Sequence, residues 1–84
     1  MGAWDRESLS RRIFEILRDE ILEVDESFTP RSDLVGAGLD SLAVTQLLLA
    51  LEESTGIWVD ESLLTPENLA SAETLAACVA GLLG

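Results

Sequence analysis

The residue best placed to do chemistry in this chain is Ser41, which follows Asp40 and opens the apolar-patterned segment Ser41-Leu42-Ala43-Val44-Thr45-Gln46-Leu47. A serine at the first turn of a helix is exposed. A phosphate ester on its oxygen would meet the positive end of the helix dipole and unsatisfied backbone N–H groups. Taken alone, a serine beside an N-cap is ordinary helix-start chemistry and needs no function. Nucleophilic catalysis fails on inventory: the chain has no histidine, and its five basic residues are all arginine. Neither a Ser-His-Asp site nor a lysine base can be assembled. The carboxylate pairs Asp19 with Glu20, Asp25 with Glu26 and Glu52 with Glu53 are adjacent in sequence. Helical neighbours point about 100° apart, so these pairs do not converge for acid–base work and read as solvated charges. The acidic stretch near Asp60 lacks the alternating ligands and central glycine of an EF-hand loop, so no metal is expected there. The reading is therefore that the chain is not an enzyme.

The elements that must position Ser41 follow from periodicity. Leu9, Ile13, Ile16, Leu17 and Ile21 recur at steps of three and four, which predicts a first helix with Asp5 as its N-cap. From about Glu23 to Asp40 the helical period is lost and Pro30, Gly36 and Gly38 accumulate, so this is a long loop, anchored by Phe28, Leu34 and Val35. A second helix starts after Asp40, a preferred N-cap type, and ends at Gly56, with Ile57 supplying the hydrophobic contact past the cap. A connector, Trp58 to Thr65, leads to Thr65-Pro66-Glu67, which reads as the opening of a short helix. Ser71 caps the last helix, whose inward set is Leu75, Val79, Leu82 and Leu83. Trp58 is expected to close the core beneath the connector. Cys78, the lone cysteine, is expected to pack, which fits a reducing cytoplasm. The fold class is all-α, a small bundle of three main helices plus one short helix, with residues 1–84 as one domain.

The second helix has two opposed faces at about 100° per residue. Val44, Leu47, Leu48 and Leu51 cluster on one, and Leu42, Gln46, Leu49 and Glu53 on the other, within a stripe about 60° wide. One face takes the core. The other exposes leucines beside acids, the composition of a docking surface with an apolar centre and a charged rim.

Sixteen acidic residues against five basic ones give a net charge of -11, so phosphate backbones and anionic membranes would repel the chain. All five bases, Arg6, Arg11, Arg12, Arg18 and Arg31, precede residue 32; from Ser32 to Gly84 there are eight acids and no base. Such a one-signed half suits basic protein surfaces. The Met1 to Asp5 start lacks a basic n-region and an apolar h-region, so no signal peptide is expected, and Arg6 stands where a myristoylation motif after Gly2 needs Ser or Thr. Apolar runs such as Leu47 to Leu51 are too short to span a bilayer.

The string Leu34-Val-Gly-Ala-Gly-Leu-Asp40-Ser41-Leu42, followed by Ala43-Val-Thr-Gln-Leu-Leu-Leu-Ala-Leu-Glu-Glu53, resembles the acyl and peptidyl carrier proteins of fatty-acid, polyketide and nonribosomal synthesis. The resemblance covers nearly the whole chain, from the first helix to Leu83. It implies that Ser41 receives a 4′-phosphopantetheine arm from coenzyme A, placed by a magnesium-dependent phosphopantetheinyl transferase. It implies too that Asp40 and Leu42 contact modifying enzymes and that the second helix is the recognition helix. Docking would then involve Asp40, Leu42, Gln46, Leu49, Glu52 and Glu53.

Two departures narrow the resemblance. Ala43 and Gln46 stand where carriers of bacterial fatty-acid synthesis often place acids, and Asp40 differs from the Gly-Gly-His-Ser form of modular peptide synthetases. Leu39-Asp40-Ser41-Leu42 with Thr65-Pro66-Glu67-Asn68-Leu69 looks more like stand-alone carriers of specialised metabolism, including methoxymalonyl-type and aminoacyl carriers, and like D-alanyl carrier proteins. The role this implies first is an acyl carrier of polyketide or related biosynthesis, antibiotic biosynthesis included, with a peptidyl/aminoacyl or D-alanyl-type carrier as the alternative. Met1 and the short tails fit a stand-alone protein, and a cytoplasmic monomer is expected. The implied partners are the transferase and an acyltransferase, ketosynthase or adenylating enzyme with a basic docking surface. Tethering would carry an acyl or aminoacyl thioester between active sites, with effective concentration replacing affinity for free substrate. Two other readings stay open: a helical adaptor without a prosthetic group, and a switch phosphorylated at Ser41.

Overall fold

The structure, a computed structural model, describes residues 4–83, with side chains described as far as Leu82. The readings on Met1 and Gly2, and the inward packing of Leu83, lie outside the described residues. Three α-helices make the frame: α1, Arg6–Ile16; α2, Ser41–Thr55; and α3, Ala72–Leu83. Among the described residues there is no strand.

Asp5 caps α1. Its carboxylate accepts the Ser8 N–H at 2.8 Å while Ser8 Oγ accepts the Asp5 N–H at 3.1 Å, so two orphan donors are satisfied reciprocally. The apolar stripe continues beyond Ile16 through a π-helical turn, Leu17–Ile21, closed by the Leu22 N–H on the Leu17 carbonyl at 2.8 Å. Leu9, Ile13, Ile16 and Leu17 are fully buried in one core with Leu47 and Leu51 of α2 and Leu75, Ala76 and Val79 of α3. Each of these leucine, isoleucine and valine side chains contributes about 1.5–3 kcal/mol by leaving water. Arg12 donates to Ser54 Oγ and so ties α1 to the end of α2.

The long connection between α1 and α2 is held down as its length requires. Phe28 stacks on Phe14 with ring centroids 5.3 Å apart, and Leu34 is fully buried. The Leu34 N–H reaches the Ala70 carbonyl at 3.1 Å, and Pro30 O accepts the Glu73 N–H, an orphan donor of the first turn of α3, at 2.9 Å. Val35, expected as a third anchor, is instead 63% exposed. It follows Leu34 within a helical turn, where successive side chains diverge by about 100°.

The expected short helix at Thr65 does not form. Thr65 Oγ1 accepts the Asn68 N–H at 3.2 Å and Thr65 O accepts the Leu69 N–H at 2.9 Å, which is a single turn. It cannot propagate, because Ser71 already caps α3 by accepting the Thr74 N–H at 3.1 Å, and one turn does not recover the cost of nucleation. The fourth, short element is a 3₁₀ turn at Glu61–Leu63, capped by Asp60, whose carboxylate accepts the Ser62 N–H at 2.9 Å. At the far end of α3, Leu82 is 48% exposed rather than buried; it lies on the last turn, beyond Val79. Among the described residues, no helix is long and apolar enough to cross a membrane.

Candidate functional site

The backbone before Ser41 is shaped by one glycine. Residues 34–38 make a helical turn that closes with the Leu39 N–H on the Leu34 carbonyl at 2.9 Å and the Gly38 N–H on the Val35 carbonyl at 3.1 Å. This is the Schellman pattern, and Gly38 takes the left-handed position it demands, with φ +108°. Leu34 and Leu39, on either side of the glycine, are both buried in the core. The chain leaves this closure at Asp40 in extended backbone, φ −122° and ψ −174°. From there the Asp40 carboxylate turns forward to accept the Ala43 N–H at 2.9 Å.

Ser41 is thereby fixed as the first residue of α2 and is exposed. Its carbonyl accepts from Thr45 Oγ1 at 3.2 Å. Beside it lies a groove of about 430 Å³, lined mainly by Val35, Leu39, Val44, Leu64, Pro66 and Leu69, with Glu61 and, at Ser41 itself, Asp40 as its charged members. Of these apolar residues, the sequence patterning predicts inward packing only for Val35 and Val44. A signal for Leu39 was available: two leucines five apart with glycine before the second is the spacing of a Schellman closure and its hydrophobic contact.

The two faces of α2 fall as their spacing predicts. Leu47, Leu48 and Leu51 are buried and Val44 is half-buried, whereas Leu42 is 67% and Leu49 51% exposed, with Gln46, Glu52 and Glu53 also exposed. Leu42, Gln46, Leu49 and Glu53 therefore share one open face, and Asp40 stands at its beginning. Gly56 ends the helix at φ +75°, and its N–H meets the Glu52 carbonyl at 2.8 Å.

Trp58 departs from expectation: it is 58% exposed rather than closing the core. Its neighbours Ile57 and Val59 are the ones that pack inward, half-buried and buried respectively. Cys78 is half-buried. No cluster of three or more metal-ligating side chains occurs among the described residues.

A glycine-closed turn thus leads to an exposed serine that opens a helix capped by Asp40. Residues 11–82 match the family described as "phosphopantetheine attachment site", and the chain belongs to that family. It is accordingly a carrier and not a catalyst, and its prosthetic group is covalently attached 4′-phosphopantetheine. The residues present fit that group, since an exposed hydroxyl at the positive end of a fifteen-residue helix adjoins an apolar groove. The chain is 34% identical to aminoacyl carrier protein 1 of Bradyrhizobium diazoefficiens over 70 residues, covering 83% of this chain and 76% of that protein.

Solved structures agree. A chain in the crystal structure of Bradyrhizobium japonicum glycine:[carrier protein] ligase complexed with glycylated carrier protein is 33% identical, with TM-score 0.62 over 87% of this chain and 96% of that one. Another, from the engineered ligase complexed with ATP and the carrier protein from Agrobacterium tumefaciens, is 32% identical, with TM-score 0.67 over 84% of this chain and 95% of that one.

Proposed function

We propose that Ser41 bears the phosphopantetheine arm and that the chain is an aminoacyl carrier, charged by an adenylating ligase with a basic docking surface. The observation that carries this reading is the placement of Ser41: exposed, first in α2, held by the Asp40 cap and bordered by an apolar groove. The aminoacyl part is supported by the likeness to aminoacyl carrier protein 1 and to carriers complexed with glycine:[carrier protein] ligase.

When bound, the arm supplies a thiol on which a carboxylic acid is held as a thioester. The chain's own residues present that arm. Asp40 keeps the first turn of α2 wound, so the Ser41 oxygen stays at the positive helix end, where a phosphodiester is electrostatically favoured. Leu42, Gln46 and Leu49 offer short-range contact, and Asp40, Glu52 and Glu53 steer basic partner surfaces towards it.

A second reading, an acyl carrier of polyketide or related specialised biosynthesis, is favoured by the apolar lining of the groove beside Ser41. Charging separates the two. The arm-bearing chain is incubated either with ATP, a labelled amino acid and the ligase, or with an acyl-coenzyme A and an acyltransferase. Label retained with the ligase and absent from Ser41→Ala supports the aminoacyl carrier; label retained only with the acyltransferase overturns it.

A further inference from the structure

Resting on the aminoacyl-carrier reading, we infer that Trp58 anchors a second docking groove that receives an apolar side chain flanked by arginine or lysine on the adenylating ligase. The groove holds about 390 Å³ and is lined by Thr45, Leu48, Leu49, Trp58, Asp60 and Glu61. Its floor and wall are apolar, with Leu48 buried beneath and the exposed Leu49 and Trp58 above.

A tryptophan ring is among the largest apolar surfaces a chain can bury, and one left more than half open beside an open leucine marks a contact surface. Tryptophan is also the residue type most enriched among interface anchors. Leu49 belongs both to this groove and to the open face of α2, so the two surfaces are continuous.

Charge selects the occupant. Asp60 and Glu61 line the groove, and no basic residue follows Arg31 in the sequence, so the second half of the chain supplies no cation of its own. The Ser62 N–H, donating to Asp60 Oδ1 at 2.9 Å, holds the Asp60 carboxyl below the usual carboxylate range. A basic rim around an apolar knob on the partner is the complementary surface. Glu61 lines the Ser41 groove as well, so the two grooves share a wall.

The test is steady-state charging of the arm-bearing chain by Bradyrhizobium japonicum glycine:[carrier protein] ligase with glycine and ATP. Trp58→Ala should raise KM for the carrier about tenfold with kcat within about twofold, the size expected for a lost anchor. Asp60→Asn, which keeps an acceptor for the Ser62 N–H while removing the charge, should raise KM less and flatten its salt dependence. Loading of the arm by the transferase should be the same in all three proteins.

An unchanged KM in both variants overturns the inference and leaves the carrier reading untouched, as does a fall in kcat alone, which would place Trp58 against the cargo. Wild-type chain that takes the arm but is not charged overturns the assigned partner. Sedimentation showing a dimer that Trp58→Ala dissolves would give the groove to a second copy instead.

Discussion

Asp40 Oδ1 accepts the Ala43 N–H at 2.9 Å, and this one bond spans Ser41, so the cap and the displayed hydroxyl belong to the same turn. Position and stability are therefore coupled at this site. Asp40→Ala should cost about 1 kcal/mol in urea unfolding and slow modification of Ser41, whereas Asp40→Asn, also a good cap, should keep the stability. An Asp40→Asn protein that is stable yet slowly modified would separate the charge of Asp40 from its capping.

Gly38 holds φ +108° so that the Leu39 N–H can reach Leu34 O. Open space surrounds the position a Cβ would take, so substitution is opposed by the backbone rather than by a clash. Gly38→Ala should cost about 1–2 kcal/mol, read as a lower urea midpoint with an unchanged slope. The start of α2 should also lose hydrogen-exchange protection, because Asp40 follows two residues later.

Most of what positions the site was legible in the sequence, because it rests on local rules. Asp5, Asp40, Ser71 and Gly56 are the cap types their positions require, and Leu47, Leu48 and Leu51 mark the buried face of α2 by helical spacing. What failed depended on how neighbouring elements compete. Thr65 begins a turn that Ser71 cuts short, so cap chemistry there makes no helix. Val35 and Trp58 are apolar residues beside stronger inward neighbours, Leu34 and Val59, and only one of each pair can face the core. The groove beside Ser41 joins Leu39 and Val44 to Leu64 and Leu69, residues whose approach no local pattern encodes.

Asp5 gives a pH dependence of known sign. The Ser8 N–H, and then its hydroxyl, hold the folded carboxyl below its ordinary value of 3.8. A carboxyl depressed in the folded state stabilises fully above its unfolded pKa and loses that contribution as pH falls through the folded one. Wild type should therefore unfold at a higher temperature than Asp5→Ala at neutral pH, with the gap constant down to about pH 5 and closing below 3.8. Circular dichroism melts of the two proteins across that range check it; a gap that widens in acid would contradict the capping role.

Glu53 shares the open face of α2 with Leu49 and makes no ion pair among the described residues. Glu53→Lys should leave the melting temperature nearly unchanged, since exposed charges contribute little to stability. It should slow charging by a partner enzyme by about threefold or more at low ionic strength, with the difference fading near 1 M salt. Equal rates at low salt would remove Glu53 from the steering surface.

If Ser41 bears the arm, replacing its hydroxyl must abolish attachment. Intact mass spectrometry after incubation with coenzyme A, magnesium and a broad-range phosphopantetheinyl transferase tests it directly. The expected result is a gain of one phosphopantetheinyl group on the wild-type chain and none on a folded Ser41→Ala chain. A gain that survives Ser41→Ala, or no gain on wild type under conditions that modify a control carrier, would contradict it.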